Sequence, residues 1–343
     1  MTPKAELSGS PMPDSAEAEP HAPGVEALHG TLQRIAANVE QVLVGKPDVV
    51  RIALVTMLAE GHLLVEDVPG VGKTSLAKAL ARSIDCTASR IQFTPDLLPS
   101  DITGVSVYNR ASDSFEFRPG PVFADIVVGD EINRASPKTQ SALLECMAEQ
   151  QVTVDGETYP LSSPFMVIAT QNPIEMEGTY ALPEAQRDRF TARVSIGYPD
   201  ARAELAMVDE HAGHDPLGEL RPVADSAQVR ALLETVRGIH LSPEIRRYVI
   251  DLVTATRKLS ELRLGASPRS TLQLVRTARA QAALAGREYV IPDDVQAVAV
   301  PVLAHRLVLT NEARAARKSA AELVRSLLTR IPVPRGDSDA GRR

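Results

Sequence analysis

A short glycine-rich segment, Asp67-Val-Pro-Gly-Val-Gly-Lys-Thr74, places a lysine and a hydroxyl group directly behind two glycines. Glycines let the backbone curl around phosphate oxygens and present its N–H groups to them. At this spacing Lys73 is expected to reach the β- and γ-phosphates of ATP, and the Thr74 hydroxyl is expected to bind Mg²⁺. The usual pattern begins with glycine where this chain has Asp67. Taken alone, the segment could therefore still be an ordinary glycine-rich turn.

A pair of carboxylates, Asp130 and Glu131, closes an apolar run that begins at Ile126. Carboxylates at the end of a buried strand beside a phosphate loop can hold a metal ion and activate water. We expect Asp130 to hold Mg²⁺, directly or through water, and Glu131 to act as general base toward the attacking water. An acidic pair at a strand end is common by itself, so this prediction depends on the phosphate loop.

Three apolar runs are expected to form the strands that position these groups. They are HLLVED (62–67), FADIVVGDE (123–131) and PFMVIATQN (164–172). Helices are expected between them, at about 74–83 and 137–149. Strands that alternate with helices through residues 60–196 predict an α/β fold, in which a parallel sheet has helices on both faces.

Beyond Pro199 no strand is expected, and the pattern becomes helical. Ser242-Pro243 and Ser267-Pro268 each combine an N-cap residue with proline at the first helical position. The second of these helices is expected to end at Gly286. Its buried face is expected to contain Leu272, Val275, Ala278 and Ala282. The sequence therefore predicts a second, smaller domain that is all-α.

The chain is expected to divide into four parts. Residues 1–24 are rich in Pro, Ser, Ala and Glu without an apolar period, which predicts a disordered tail. Residues 25–199 are expected to form the α/β core and residues 200–334 the helical domain. Residues 335–343 are expected to be a flexible C-terminal tail.

The composition of the chain limits the classes of function that fit it. A net charge of −7 argues against a general nucleic-acid binder, and no apolar run is long enough to span a bilayer. Two cysteines without motif spacing imply neither a disulfide framework nor a zinc site, and they fit a reduced, cytoplasmic compartment. Basic residues are in excess in 237–343 and acidic residues in 1–236. These segments could be faces that meet in an assembly, or the arginines could simply decorate solvated helices.

Two longer segments resemble the MoxR family of AAA+ ATPases. One is DEINRASPKTQSALLE, from Asp130 to Glu145, and the other is ATQN, which ends at Asn172, followed by GTYALPEAQRDRF from Gly178. The resemblance covers residues 35–331. It implies that the α/β part is a P-loop AAA+ core, that the helical part is its small all-α lid, and that ATP and Mg²⁺ are the cofactors.

The resemblance also implies roles for single residues. Asn172 matches the sensor that positions the attacking water, and Lys73 and Glu131 match catalytic residues. Arg189 matches the arginine finger that reaches the γ-phosphate of the neighbouring subunit, with Arg187 as a nearby competitor for that role. Arg269 matches the second sensor.

The nucleotide is expected to contact residues of two segments. They are Val44, Gly45, Lys46, Pro69, Gly70, Val71, Gly72, Lys73, Thr74 and Ser75. The first three match the family segment that packs near the adenine. The metal ligands are expected to be Thr74 and Asp130.

The family implies a role as well as a fold. MoxR proteins are ring-forming, and an arginine finger supplied by a neighbour implies a closed homo-oligomeric ring, a hexamer. The resemblance implies a chaperone-like remodeller of protein clients, acting in complex maturation or metal-cofactor insertion with a von Willebrand factor A domain protein. The family insertion would lie at 92–121. Residues 151–161, with Asp155-Gly156 at their centre, predict a β-hairpin that would face the ring pore or be purely structural.

Three alternatives use the same phosphate loop. A phosphotransferase would need an acceptor site, and Glu131 beside Asp130 favours water as the acceptor instead. An ATP-dependent scaffold would bind nucleotide without turnover, against which Glu131 and Arg189 argue. A nucleic-acid-associated motor is disfavoured by the acidic core.

Overall fold

The computed structural model of the chain describes residues 25–68, 70–172, 179–199, 201, 204 and 215–334. Pro69 and Gly178 lie outside the described residues. So do the predicted tails, 1–24 and 335–343, whose expected disorder stays a prediction.

The secondary structure alternates between strands and helices in the first part of the chain and is mainly helical in the second. The strands are β1 (Leu63–Glu66), β2 (Ile84–Asp85), β3 (Ala88–Gln92), β4 (Gly104–Asn109), β5 (Ser114–Pro119), β6 (Ile126–Asp130), β7 (Gln151–Val154), β8 (Glu157–Pro160), β9 (Met166–Gln171), β10 (Ala192–Val194), β11 (Ala224–Asp225), β12 (Leu262–Leu264) and β13 (Val308–Leu309). The helices are α1 (Val25–Glu40), α2 (Pro47–Leu58), α3 (Lys73–Ser83), α4 (Pro99–Thr103), α5 (Pro137–Glu149), α6 (Glu184–Arg187), α7 (Pro216–Glu219), α8 (Ser226–Gly238), α9 (Pro243–Thr256), α10 (Pro268–Leu284), α11 (Pro292–Leu303), α12 (Asn311–Ala315) and α13 (Ala320–Arg330).

A five-stranded parallel sheet forms the centre of the core domain, in the order β10-β1-β9-β6-β3. Strands β1 and β6, which carry the phosphate loop and the acidic pair at their carboxyl ends, lie on either side of β9. The carboxyl ends of parallel strands meet at one edge of a sheet, so this order brings the two motifs together. The predicted parallel sheet is confirmed.

The sheet is covered on both faces, as the apolar strands predict. Alternate residues of β6 face opposite sides: Ile126 and Val128 belong to the same apolar cluster as α1, α2 and α3, whereas Val127 belongs to the cluster that contains Leu143 and Leu144 of α5. Strand β6 is buried throughout. The two carboxylates at its end therefore extend from a rigid base.

The helical lid packs beside strand β10 and on the helices next to it. Helix α10 contacts α1, α2 and α11, and α11 contacts β10. Ser242 and Ser267 cap α9 and α10 by accepting hydrogen bonds from the backbone N–H groups of the third helical residues. Gly286 adopts a left-handed backbone with φ 72° just beyond α10, as predicted for a helix stop. The helical lid and both caps are confirmed.

Two hairpins extend from the core domain. Strands β4 and β5 form one, and β7 and β8 form the predicted hairpin around Asp155 and Gly156, both of which have positive φ angles of 52° and 85°. The ring of Phe117 in the first hairpin stacks on that of Tyr159 in the second, with centroids 4.1 Å apart and planes 15° apart. The two hairpins are therefore in direct contact.

Two expectations for the second part of the chain were wrong in detail. Leu272 is not on the buried face of α10, since 63% of its surface is exposed, and Leu274 is buried there instead. Strands also continue beyond Pro199, because β11 pairs with β2 and β12 pairs with β13. These strands have two or three residues each, too few for an alternating pattern to be visible in the sequence.

Among the described residues, none of the helices has both the length and the apolar character that crossing a membrane would require.

Candidate functional site

The phosphate loop joins β1 to α3 at the carboxyl edge of the sheet. Gly70 and Gly72 have φ angles of 84° and 91°, a left-handed conformation that favours glycine. A Cβ atom built on Gly70 would meet no atom within 4 Å, so the loop is open on that side. Among the described residues no side chain caps the start of α3 at Gly72, unlike the serine-capped helices of the lid. Its first N–H groups are therefore suited to an anion.

Thr74 and Asp130 lie together at the centre of this edge. The Thr74 hydroxyl is 3.0 Å from Asp130 Oδ1 and 3.2 Å from Oδ2. Hydroxyl and carboxylate oxygens are ligands that Mg²⁺ prefers, and Mg²⁺ at phosphates usually takes only one or two of them from protein. Nowhere in the described part of the chain do three or more His, Cys, Asp or Glu side chains cluster as metal ligands. The donor set thus fits a magnesium ion shared with a phosphate ligand.

Lys73 is held at the opening of the loop by main-chain oxygens. Its ammonium donates to the carbonyl oxygen of Asp67 at 2.6 Å and to that of Gln171, at the end of β9, at 3.5 Å. The positive charge therefore lies beside the loop and near the end of the neighbouring strand. This is the position from which it can contact phosphate oxygens.

Glu131 follows Asp130 in an unusual backbone conformation. Its φ and ψ angles of 59° and 49° lie in the left-handed region, which is unfavourable for a residue with a side chain. The Glu131 N–H donates to the hydroxyl of Thr170 in β9 at 2.9 Å, which holds the turn. Strained backbone of this kind clusters at functional sites, where the surrounding structure imposes it.

The Glu131 carboxylate has two side-chain partners that the sequence analysis did not identify. Gln92 Nε2 donates to Glu131 Oε2 at 3.0 Å, and Arg134 NH1 lies 3.0 Å from the same oxygen. Arg90, on the same strand as Gln92, forms an ion pair with Asp130 at 2.7 Å. No sequence motif indicates Arg90 or Gln92, because only the pairing of β3 with β6 brings them here.

Asp67, the residue that departs from the usual phosphate-loop pattern, is a structural anchor. Its carboxylate accepts hydrogen bonds from the backbone of Val68 at 2.8 Å, from Ser195 Oγ at 2.8 Å and from the backbone of Gly197 at 2.6 Å. Burial alone would raise the pKa of the Asp67 carboxyl, but these hydrogen bonds hold the pKa below its usual value. Asp67 thereby joins the start of the loop to the segment after β10.

The segment predicted to lie near the adenine is on the α3 side of this loop. The Leu43 side chain approaches Gly72, where an added Cβ would be 3.3 Å from it. Gly45 has a φ angle of 73°, and Lys46 Nζ donates to the carbonyl oxygen of Tyr198 at 2.8 Å. Residues 43–46 are thus adjacent to both the phosphate loop and the segment that leaves β10, with Val44 half-buried between them.

Asn172 follows directly after β9, between the two motifs. It is 4% exposed, and its carbonyl oxygen accepts a hydrogen bond from Asn133 Nδ2 at 3.3 Å. Asn133 belongs to the turn that follows Glu131. The predicted sensor therefore lies next to the predicted general base.

The arginines predicted as finger and second sensor lie elsewhere. Arg189 precedes β10, and its guanidinium donates to the carbonyl oxygen of Leu144 in α5. The Thr191 N–H donates to the carbonyl oxygen of His62 at 2.8 Å, and His62 immediately precedes β1. Arg189 and the phosphate loop are thus at opposite ends of the central strands. Arg187, its competitor, lines a cavity of about 300 Å³ with Glu66, Gln171 and Arg193.

Arg269 is exposed in the first turn of α10, on the same side as Arg189. Ser267, the cap of that helix, donates to Asp188 Oδ2 at 3.1 Å, and Asp188 also pairs with the buried Arg306 at 2.9 Å. Asp188 is therefore held by both Arg306 and Ser267, and the contact with Ser267 fixes the start of α10 to the segment that carries Arg189. Gln273, one turn further along α10, donates to the Thr191 hydroxyl at 3.4 Å, so the start of α10 lies at the amino end of β10, away from the phosphate loop.

This edge of the sheet thus combines the start of α3, which suits an anion, with the hydroxyl and carboxylate of Thr74 and Asp130, which suit a metal ion. Beside them lie the carboxylate of Glu131, on a strained backbone, and the buried Asn172. Such a set can bind a triphosphate and activate water toward it. The Asp67 anchor, the Lys73 position and the Thr74–Asp130 contact are all found within one chain. The arginines Arg189 and Arg269 are left at the opposite end.

Comparison with known proteins gives a consistent result. The ATPase family associated with various cellular activities (AAA) matches residues 62–192, and the AAA lid domain matches residues 254–327. The chain is 47% identical over 309 residues to the uncharacterized protein YeaC of Bacillus subtilis, covering 90% of this chain and 97% of YeaC. It is 41% identical over 322 residues to Chaperone MoxR1 of Mycobacterium tuberculosis, covering 91% of this chain and 85% of that protein.

A solved structure has the same architecture. It is a Cytophaga hutchinsonii protein, provisionally described as an ATPase, with 37% sequence identity and a TM-score of 0.84. The match covers 91% of this chain and 97% of that one. The similarity therefore includes both the sheet domain and the helical lid.

Proposed function

This chain belongs to the MoxR family of AAA+ ATPases, and on that premise we propose that it hydrolyses ATP with Mg²⁺ as part of a closed ring of identical subunits. The observation that carries the proposal is the contact between the Thr74 hydroxyl and the Asp130 carboxylate, at 3.0 Å, beside an open glycine loop. Both residues are hard oxygen ligands at the place where the β- and γ-phosphates of a nucleotide in the loop would lie.

The residues of the site divide the reaction between them. Lys73 and the backbone of the loop bind the phosphates, and Thr74 and Asp130 hold Mg²⁺, which when bound neutralises charge on the phosphates. Glu131 accepts a proton from the attacking water, and the adjacent Asn172 orients that water. Asp67 fixes the loop, so that its N–H groups are already directed toward the ligand.

The positions of Arg189 and Arg269 support a ring. Each lies at the end of the central strands opposite to the phosphate loop of its own chain, and the cap of α10 joins their two segments through Asp188. A charge that stabilises the transition state must contact the γ-phosphate, so these arginines serve the site of a neighbouring subunit. A head-to-tail arrangement of this kind closes into a ring, which we take to have six subunits.

The biological role in this proposal is that of a chaperone-like remodeller of protein complexes. One relative is named a chaperone, which supports this class of activity. A protein client and a von Willebrand factor A domain partner, with complex maturation or metal-cofactor insertion as the outcome, follow from the family. The stacked hairpins are candidates to contact the client. We place the ring in the cytoplasm, in keeping with two free cysteines.

The test is steady-state phosphate release with Mg·ATP, for the wild type and for Glu131→Gln, at several protein concentrations. We expect specific activity to rise with protein concentration as rings form. The Glu131→Gln variant should retain ATP binding and lose phosphate release by at least ~100-fold, as expected for loss of a general base.

The other outcomes select different functions. Activity that does not depend on protein concentration would contradict a finger supplied by a neighbour. Binding of ATP without release of phosphate at any concentration would favour the scaffold. Stimulation by added nucleic acid, with none by protein, would favour the motor.

A further inference from the structure

Gln140, in the first turn of α5, carries a buried amide that joins two segments of backbone. It is 1% exposed. Its Nε2 lies 3.1 Å from the carbonyl oxygen of Ile132, 3.3 Å from that of Ala135 and 3.1 Å from that of Tyr180. The first two oxygens belong to the turn that follows Glu131, and the third belongs to the segment that leads into α6. An NH2 group has only two hydrogens, so the three oxygens share them.

Two further hydrogen bonds tie the same parts of the chain together. The N–H of Tyr180 donates to the carbonyl oxygen of Asn133 at 2.6 Å. Asn133 Nδ2 in turn donates to the carbonyl oxygen of Asn172, the proposed sensor, at 3.3 Å. The turn after Glu131, the end of β9 and residues 179–183 are therefore joined by one network of hydrogen bonds, to which Gln140 contributes three contacts.

Further along, α5 also holds the segment that carries the proposed finger. Gln186 Nε2 lies 3.3 Å from Ser141 Oγ, and the Arg189 guanidinium donates to the carbonyl oxygen of Leu144, one turn beyond Gln140. Helix α5 runs from the site toward the opposite end of the sheet, because β9, which follows it, is parallel to β6. One helix therefore contacts the turn of the general base at its start and the finger segment along its length.

Packing alone does not account for a glutamine at position 140. Its Oε1 is buried, and no donor in the described part of the chain reaches it. A buried polar oxygen without a partner lowers stability, whereas an apolar side chain of the same length would not. The NH2 group of Gln140 fixes the positions of three carbonyl groups, which an apolar side chain cannot do.

We propose that Gln140 is a positioning residue for two active sites at once. Within its own subunit it fixes the turn that carries Glu131, and through Tyr180 it fixes the segment that delivers Arg189 to the neighbouring subunit. This inference rests on the proposed function, because it takes Glu131 as the general base and Arg189 as a finger supplied to the neighbour. A subunit that loses these contacts is deficient both as the owner of a site and as the donor of a finger.

The physical reason is the precision that the reaction requires, since a misplacement of about 1 Å can cost about 100-fold in rate. Glu131 lies in a turn of left-handed backbone, and Arg189 lies between a four-residue helix and a three-residue strand. Neither is therefore positioned by long regular structure of its own. Contacts with α5, a helix of 13 residues, give both a common rigid support.

The experiment mixes two kinds of full-length subunit in equal amounts, one with Glu131→Gln and the other with Arg189→Ala. An active site in such a ring takes its general base from an Arg189→Ala subunit and its finger from a Glu131→Gln subunit. Gln140→Met is then added to one kind of subunit at a time. Phosphate release at saturating Mg·ATP is divided by the ring content, which sedimentation velocity measures. We expect a loss of about tenfold in each arm, in the range of one or two modest hydrogen bonds.

Controls separate positioning from stability. Gln296→Met makes the same change in the lid, where it removes a hydrogen bond to the Tyr248 hydroxyl at 3.3 Å, and it should leave both arms unchanged. Affinity for the non-hydrolysable analogue AMPPNP should also be unchanged in Gln140→Met rings, so that the loss lies in kcat. If Gln140→Met subunits do not enter rings, Gln140→Asn replaces them, because it keeps the NH2 group one methylene further from the carbonyl groups. A loss of about threefold is then expected in each arm.

The outcomes distinguish this inference from the function on which it rests. No phosphate release from the mixture without a change at Gln140 would overturn the finger supplied to the neighbour, and the inference with it. A loss confined to one arm would limit Gln140 to a single role and would overturn the inference alone. Unchanged release per ring in both arms, with a lower ring content or a lower stability, would show that Gln140 is structural only and would also overturn it.

Discussion

Replacing Asp67 by glycine would restore the usual phosphate-loop sequence, and we predict that it would damage the protein. Asp67 is only 8% exposed, and its carboxylate accepts hydrogen bonds from Val68, Ser195 and Gly197. Asp67 does not have a positive φ angle, unlike Gly70 and Gly72. Glycine therefore offers no conformational advantage at this position.

The size of the effect follows from the contacts. A hydrogen bond to a charged group contributes about 1.5–3 kcal/mol. The contact with Val68 is local, so mainly the contacts with Ser195 and Gly197 contribute, and water can partly replace them. A glycine adds about 0.5–1 kcal/mol through the entropy of the unfolded chain. We expect Asp67→Gly to lower the free energy of unfolding by about 4 kcal/mol and Asp67→Asn, which keeps one acceptor, by about 2 kcal/mol.

Urea unfolding followed by far-ultraviolet circular dichroism measures this change, since the chain has no tryptophan for fluorescence. The control is Asp96→Gly, in an exposed turn, which should lower stability by less than about 1 kcal/mol. ATP affinity should fall about tenfold in Asp67→Gly, because the start of the phosphate loop, whose main-chain oxygen holds Lys73, loses its side-chain anchor to Ser195 and Gly197. A variant as stable as the wild type, or one that binds ATP more tightly, would refute the reasoning.

Four further predictions follow from single contacts. The Glu131→Gln and Arg189→Ala variants should each be inactive alone, but an equal mixture should recover about a quarter of wild-type phosphate release. In randomly mixed rings, one interface in four combines an intact Glu131 with an intact Arg189. No recovery would mean that another residue is the finger. Glu131→Gly should be about 1 kcal/mol more stable to urea than Glu131→Ala, because residue 131 has a φ angle of 59°, which glycine adopts more readily than alanine. Elsewhere glycine is usually the less stable of the two. An alanine variant that is the more stable would argue against the left-handed turn. Burial lowers the pKa of His62 to about 4, so the folded protein favours the neutral imidazole. The stability that depends on the neutral form is complete above the pKa of His62 in the unfolded chain and is lost as pH falls toward 4. At pH 5 this loss is about 2 kcal/mol, which His62→Gln should abolish in urea titrations at pH 7 and 5; an unchanged pH dependence would exclude His62 as its source. Arg306→Met should lower the unfolding free energy by about 3 kcal/mol, because it leaves Asp188 without its ion pair, and a calorimetric change below 1 kcal/mol would contradict the assigned contact.

The parts of the fold that repeat a strong local pattern could be predicted from the sequence. The apolar runs 63–65 and 126–129 form buried strands, and Ser242 and Ser267 cap helices because their side chains accept a backbone N–H while proline favours the first helical position. The Thr74–Asp130 contact was also predictable, since parallel strands bring their carboxyl ends together.

What the sequence could not reveal depends on strand register and on packing between distant segments. Arg90 and Gln92 are ordinary polar residues of an edge strand until their pairing with β6 is known. Leu272 fits an apolar helical pattern, yet the side of α10 that packs on α1, α2 and α11 contains Leu274 instead. The sequence shows Asp67 only as a departure from the usual phosphate-loop pattern. Its structural role is not visible there because its partners, Ser195 and Gly197, are distant in sequence.

The stacked rings of Phe117 and Tyr159 make the two hairpins one mechanical unit. The first hairpin leaves the core at Gly104 and Gly120, and the second follows directly after helix α5. A Cβ atom at Gly104 would collide with the backbone of Arg118 in β5, and one at Gly120 with the backbone of Ile102 in α4, so these segments pack closely at the base of the first hairpin. The pair of hairpins is therefore expected to move as one body, and helix α4, which packs on the base of the first hairpin, is the part of the core that such a movement reaches first.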